Sequence, residues 1–224
     1  MNKTIAIIPA RGGSKRLPGK NLLLLNDIPL VAHSILTAKK NLFIDEIYVT
    51  TDNYKIREVA QHFGAQVIIR PPSISGDLST TVSALKHVLK TCSYEGFENV
   101  VLLQPTNPLR PKDMLRDAFS IFTRNKVQSL FTVSPNSKKF GRIEDGKFIP
   151  WNYEYGQRSQ DLEPLFYENG LLYISNSNLI LKDVLLSPDA FPYIITHPFG
   201  LIDIDDQMDF DFAQHLLNKH KDEL

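Results

Sequence analysis

Cysteine is nearly absent from this chain of 224 residues, Cys92 being the single one. One thiol excludes an internal disulfide framework and any zinc site built on paired cysteines, and it suits a reducing compartment. Cys92 itself reads as a packing residue near a helix end. Neither sign of charge prevails: 25 Lys and Arg stand against 25 Asp and Glu. No global field therefore points to nucleic acid or to an anionic membrane. No apolar run approaches the roughly 20 residues that cross a bilayer. Thr4–Ile8 is also too short for a signal-peptide core, so the expected setting is cytoplasmic. Lys221-Asp222-Glu223-Leu224 spells a receptor-read retention address, which without such a signal reads as coincidence. Internal repeats and low-complexity tracts are missing. The length suits one substantial core, taken as a single unit over 1–224.

Acidic residues are missing from the first stretch of the chain, where none precedes Asp27. That gap coincides with a concentration of cations. After a short strand, Pro9 to Asn21 packs Gly12, Gly13 and Ser14 among Arg11, Lys15, Arg16 and Lys20. Adjacent glycines let backbone N–H groups approach an anion, and four cations complement several phosphate oxygens. A nucleoside triphosphate at the end of strand one is the simplest ligand. It is not a Walker A loop, because five residues separate Gly13 from Gly19 and Asn21 stands where a hydroxyl is needed. Nor is it G-x-G-x-x-G.

Strand and helix patterns then alternate. Helices are expected over 29–40, 53–63 (ended by Gly64), 80–89 and 111–124, and strands over 46–51, 66–69, 99–103 and 129–133. This rhythm predicts a doubly wound, mostly parallel α/β sheet, with ligands at the carboxyl ends of the strands. From Ser134 to Phe166 the rhythm breaks, and apolar residues such as Phe140, Ile143, Phe148 and Trp151 exceed what a solvated loop needs. The 134–166 segment reads as an arm packing on a second subunit. Further strands are expected at 171–175 and 201–205, with a terminal helix over 207–219.

Ile202-Asp203-Ile204-Asp205 alternates apolar and acidic, so a strand would set both carboxylates on one face. Two such oxygen donors suit Mg²⁺, which also takes substrate phosphate oxygens. The six histidines are scattered and read as structural or exposed, and no nucleophile–base set stands out.

Pro-Ala-Arg-Gly-Gly-Ser-Lys-Arg-x-Pro-x-Lys-Asn resembles the signature of the acylneuraminate cytidylyltransferases, the CMP-sialic acid synthetases. Leu103-Gln104-Pro105-Thr106-Asn107-Pro108-Leu109-Arg110, Glu168-Asn169-Gly170 and Ile202–Asp205 resemble later segments of that family, in order. The resemblance implies a Rossmann-like nucleotidyltransferase and a homodimer joined by the arm. It implies that CTP and an acidic nine-carbon sugar react to CMP-sugar and pyrophosphate, with Mg²⁺ on Asp203 and Asp205. It also places Arg70 and the segment from Asp77 to Thr81 around cytidine, and gives Arg158 the sugar carboxylate. An arginine that some members carry before the Asn-Gly pair is replaced here by Tyr167-Glu168. That leaves the sugar open among N-acetylneuraminate, legionaminate, pseudaminate, KDN and Kdo.

In the reaction so implied, Arg11 and Lys20 grip the triphosphate near the attacked phosphorus. Ser14, Lys15 and Arg16 hold the departing pyrophosphate, and Asn21 meets ribose or a base edge. Gln104 and Thr106 bond sugar hydroxyls, Tyr173 walls the pocket, and Asp205 takes the hydroxyl proton. Two rival classes are a metal-dependent glycosyltransferase using a nucleotide-sugar and a non-catalytic nucleotide-binding module. The first needs no four-cation grip, and the second has no use for Asp203 and Asp205.

Overall fold

A computed structural model of the chain describes residues 3–92 and 96–224. In chain order its strands are β1 Lys3–Pro9, β2 Leu24–Leu25, β3 Ile28–Pro29, β4 Glu46–Thr51, β5 Gln66–Ile69, β6 Phe97–Leu102, β7 Ser129–Asn136, β8 Gly141–Glu144, β9 Lys147–Pro150, β10 Leu165–Asn176 and β11 Phe191–Ile194. The helices are α1 Leu30–Lys39, α2 Tyr54–His62, α3 Thr81–Thr91, α4 Met114–Asn125, α5 Ser177–Leu181 and α6 Gln207–Lys219.

Local chemistry explains most of these limits. The Asn53 side chain accepts from the N–H groups of Lys55 and Ile56, starting α2, and Gly64 at φ 84° turns the chain away after it. Thr80 caps α3 through Ser83 N, and Asp206 with Asp209 forms a reciprocal capping box on α6.

Seven strands form one sheet in the order β11-β7-β10-β6-β1-β4-β5. Every neighbouring pair is parallel except the two that involve β10. Val31 and Ile35 of α1, Ala60 of α2, and Leu115 and Phe122 of α4 pack in one apolar cluster. Leu85 and Val88 of α3 join Ile180 of α5 in a second cluster, which takes the alternate residues Ile5 and Ile7 of β1. Helices thus cover both faces, as expected for a doubly wound sheet. Each fully buried Ile or Leu contributes roughly 1.5–3 kcal/mol by leaving water. A third cluster joins Leu25 and Leu109 to Phe199, Ile202, Ile204 and Leu217, tying the end of the chain to its beginning.

Four expectations need correction. The 201–205 segment is not a strand: Pro198–Leu201 is a 3-10 turn, and a backbone bond from Ile204 N to Thr106 O (2.8 Å) anchors the chain beyond that turn. Burial of Ile202 and Ile204 still alternates with the aspartates, because the third cluster takes both side chains without a ladder. Short α5 and the edge strand β11 are additions that the sequence pattern does not signal. The strand expected over 171–175 begins at Leu165 and runs antiparallel to both β6 and β7. Within 134–166 the chain is not an irregular arm: the outer ends of β7 and β10 pair, and β8 and β9 form a hairpin. That hairpin and its flanks expose Ile143, Phe148, Trp151 and Tyr155.

Asn169-Gly170, readable as a turn, is a bulge inside β10, where the register shifts between Glu168 and Tyr173. Gly170 sits at φ 77°, and a Cβ there would meet Asn107 Oδ1 at 2.9 Å and Gln104 Nε2 at 3.1 Å. Gly170→Ala is therefore expected to cost about 1–3 kcal/mol through left-handed strain and crowding. At about 2–4 °C per kcal/mol for a chain of this size, a thermal melt should show a drop of several degrees. An unchanged midpoint would contradict the close approach.

Candidate active site

The loop after β1 is held in place by its own polar groups. Gly12 N donates to Asp52 Oδ1 at 2.7 Å, and Asn21 Nδ2 donates to Arg11 O at 2.9 Å. A side chain on Gly12 would lie 2.8 Å from Asn53, so glycine lets the loop pass the start of α2. Nothing lies within 4 Å of where a Gly13 Cβ would sit, which leaves that turn open. Asn21 is buried and its amide nitrogen is committed to the loop itself. Its place is structural first, although it also borders the cleft.

The cleft has a volume of about 430 Å³ and is lined by Arg11, Ser14, Lys15, Arg16, Lys20, Asn21, Arg70, Asp77, Thr81, Gln104, Thr106 and Asp205, among others. Of the residues assigned to the nucleotide from the sequence, Arg11, Ser14, Lys15, Arg16, Lys20, Asn21, Arg70, Asp77 and Thr81 line it, while the two glycines of the turn and Leu78 do not. Its cations are paired. Arg11 and Lys15 reach Asp77 at 2.8 and 2.5 Å, and Arg16 and Lys20 reach Asp205 at 2.5 and 3.0 Å. The two carboxylates sit among cations that an anionic ligand would engage. Hydrogen bonds from Lys15 and Arg11 hold the Asp77 carboxyl below its usual range. Lys20 also donates to Ile204 O at 2.6 Å, so the first loop and the last segment share one ammonium.

Arg70 is buried at the end of β5 and donates from Nη2 to Thr50 O at 2.9 Å. Its Nε and the Thr50 hydroxyl are buried with no hydrogen-bond partner among the described residues. Burial pushes its guanidinium down, with Asp52 offsetting part of that. Such buried, unpaired polar atoms cost free energy, here at the base of a residue that lines the cleft.

Asp203 and Asp205 face different spaces. Asp205 lines the cleft, while Asp203 lines an adjoining cavity of about 300 Å³ with Tyr167, Glu168, Asn169, Tyr173 and Leu201. Gln104 belongs to both walls. Burial, then repulsion from Asp205, pushes the Asp203 carboxyl up, and Thr106 and Lys20 pull it back. The donor chemistry fits a hard divalent cation, since both side chains supply only oxygen and the Asp203 carboxyl is raised by burial and by Asp205.

Tyr173, expected to wall the pocket, lines the second cavity, its hydroxyl donating to Glu168 Oε1. Burial and Glu168 push that phenol up. Arg158 does not join the others. It lies on the exposed 134–166 arm, paired with Asp161 at 2.7 Å, and borders neither cavity.

Sequence reasoning missed the residues that position the site. Arg110 is buried and donates to Leu171 O (2.7 Å), Gln104 O (3.0 Å) and Ser34 Oγ (3.2 Å), fixing the strand end that carries Gln104. Asn107 Nδ2 donates to Ile202 O and Asn169 O at 2.6 and 3.0 Å, and Thr132 and Ser134 bond the Asn169 amide. These side chains satisfy backbone groups freed by the β10 bulge. The one available signal was their polarity amid apolar stretches. A separate group, His197, His220 and Glu223, is compact enough for a metal. Phe199 N–H donates to His197 Nδ1, which leaves Nε2 protonated toward Glu223 Oε2 at 2.9 Å. That is a hydrogen-bonded clasp on the terminal turn.

Sheet order, a cationic loop after β1 and acids from the last segment define a mostly parallel α/β fold with a charged cleft. The same fold occurs in CMP:2-keto-3-deoxy-manno-octonic acid synthetase complexed with CTP, with a TM-score of 0.72 at 17% identity over 98% of this chain and 100% of that one. It occurs also in 4-diphosphocytidyl-2C-methyl-D-erythritol synthase from Anaerococcus prevotii, with a TM-score of 0.69 at 15% identity, covering 97% of this chain and 96% of that one. The chain belongs to the cytidylyltransferase family, whose model matches residues 5–219. Among its relatives, N-acylneuraminate cytidylyltransferase of Streptococcus agalactiae is 35% identical over 93% of this chain and 52% of its own length. The chain thus spans about half the length of that relative. CMP-N,N'-diacetyllegionaminic acid synthase of Legionella pneumophila is 34% identical over 99% of both chains, and pseudaminic acid cytidylyltransferase of Campylobacter jejuni is 31% identical over 96% of both.

Because Asp77 competes with an anionic ligand for Arg11 and Lys15, Asp77→Asn should tighten binding of inorganic triphosphate by about 2–5-fold at low salt. The Asp77 carboxyl sits below its usual range, so it stays ionised through neutral and mildly acidic pH and the difference should persist there. Isothermal titration calorimetry of wild type and variant checks this, and weaker binding by the variant would show Asp77 orienting the cations instead.

Proposed function

We propose that this protein transfers the cytidylyl group of CTP to an acidic nonulosonic sugar, giving a CMP-sugar and pyrophosphate. One observation carries the reading: Arg11, Lys20 and Asp205, from opposite ends of the chain, line one cleft. The relatives' activities support CTP as donor and a nonulosonic acid as acceptor.

In this reading Arg11 and Lys20 neutralise charge at the α-phosphate as the sugar's anomeric hydroxyl attacks it, and Lys15, Arg16 and Ser14 receive the pyrophosphate that leaves. The ion pairs to Asp77 and Asp205 exchange for phosphate oxygens. Asp205, once released by Arg16, accepts the hydroxyl proton. Arg70 and Thr81, which line the same cleft, meet the nucleoside. Gln104, shared by both cavities, orients the acceptor beside the phosphate, with Thr106 on its cleft side. Asp203 and Asp205 would hold Mg²⁺, which supplies neutralisation of triphosphate charge and a lower pKa for the attacking hydroxyl.

The exposed apolar hairpin is the basis for proposing a homodimer, because exposed patches of this kind mark protein contacts. Arg158 borders neither the cleft nor the adjoining cavity of its own chain, so in the dimer it serves the sugar carboxylate in the cleft of the other copy. Among the described residues no helix is long and apolar enough to cross a membrane. A single cysteine in the whole sequence fits the cytoplasm as the proposed setting.

Pyrophosphate release should require CTP, Mg²⁺ and a nonulosonic acid together, measured with a panel of such acids. Arg11→Ala and Asp205→Asn should each lower kcat by about 10²–10³-fold. Release without sugar, or transfer from a preformed nucleotide-sugar, would overturn the reaction. For the dimer, Trp151→Glu should shift the sedimenting species toward monomer, and an unchanged monomeric wild type would remove the arm's role.

A further inference from the structure

We propose that Glu168 selects the acceptor, by taking a hydrogen bond from the amide N–H of an acylamino substituent on the sugar. The inference rests on the reaction proposed above and adds which acceptors the site prefers. The cavity that Glu168 lines adjoins the nucleotide cleft through Gln104, so an acceptor poised at the α-phosphate extends into it.

The charged groups lining this cavity are of one sign, Glu168 and Asp203. The Tyr167 hydroxyl donates to Gly200 O at 3.1 Å, and the Tyr173 hydroxyl donates to Glu168 Oε1. Asn169 Nδ2 donates to Ser134 Oγ at 2.9 Å, and Gln104 Nε2 donates to Gly170 O at 3.3 Å. Both tyrosine hydroxyls are thereby committed to the protein, and each amide gives it one of its two N–H groups. The acceptors left over on the wall are the second oxygen of Glu168 and the Gln104 carbonyl, with the Asp203 carboxylate assigned to Mg²⁺ in the reaction proposed above. Among the described residues lining it, none is Lys, Arg or His.

A cavity whose charged side chains are both carboxylates, with no cation among them, binds hydrogen-bond donors and repels an anion. The sugar's own carboxylate is thereby turned away, toward the cations of the neighbouring cleft. A hydroxyl could also donate, but Leu201, exposed on the same wall, gives apolar contact that an acyl methyl would use. An N–H bonded to a carboxylate is a charge-assisted bond, and Tyr173 holds that carboxylate in one orientation.

The test uses wild type, Glu168→Ala and Glu168→Gln, each with CTP, Mg²⁺ and two nonulosonic acids that differ only in carrying an acylamino group or a hydroxyl at one carbon. Wild type should favour the acylamino sugar. Glu168→Ala should raise KM for that sugar by about 10–100-fold, leave KM for CTP within about twofold, and bring the preference between the sugars near unity. Glu168→Gln keeps an acceptor oxygen and the Tyr173 contact, so it should fall between the two. A thermal melt of each variant separates misfolding from lost recognition. If wild type turns over both sugars and Glu168→Ala leaves their ratio unchanged, the selection role is overturned while the reaction stands. If wild type releases no pyrophosphate with any such acid, the reaction itself is overturned and this inference with it.

Discussion

Lys20 and Arg16 meeting Asp205 is the contact on which the site depends. It joins a loop near the start of the chain to a segment near its end, and Lys20 adds a bond to Ile204 O in the same place. Lys20 is largely buried, so its ammonium needs both oxygens to offset lost hydration. The apolar cluster of Leu25, Phe199, Ile204 and Leu217 holds the two ends together, and the ion pairs set their register. A phosphate ligand would replace one set of oxygens by another, so the cleft is organised before it is filled.

Behind that contact lies a scaffold of buried amides and one buried arginine. Asn107, Asn169 and Thr132 satisfy backbone groups where β10 bulges, and Arg110 pins the end of β6 to β10. An antiparallel strand inserted into a parallel sheet brings the Glu168–Tyr173 pair beside Gln104. The bulge requires a left-handed Gly170, which carries no side chain and so leaves room for the Asn107 and Gln104 amides.

The two cavities divide the electrostatics. One gathers the cations of the first loop, and the other is lined by the carboxylates of Glu168 and Asp203 with no cation among the described residues. Charge of opposite preference on either side of Gln104 would orient an acceptor bearing an acid at one end and an amide at another.

Much of this was legible in the chain. Adjacent glycines among four cations announced an anion loop, alternating strand and helix patterns announced the doubly wound sheet, and Asn53, Thr80 and Asp206 marked helix starts, because each of these signals is local. The 201–205 segment shows where local reading stops: its alternation was real, yet it came from packing under Phe199 and Leu217 and involved no strand. Nothing in the order of residues showed that Arg158 would stand apart from the cleft, that Asn21 would commit its amide to Arg11, or that Tyr173 would commit its hydroxyl to Glu168. Sequence by itself determined the kinds of groups available and the period of their burial, since both follow from side-chain chemistry and backbone geometry. Which donors remain free for a ligand was decided only by the tertiary structure, because a hydrogen bond is assigned by distance in space and the partners lie up to 189 positions apart.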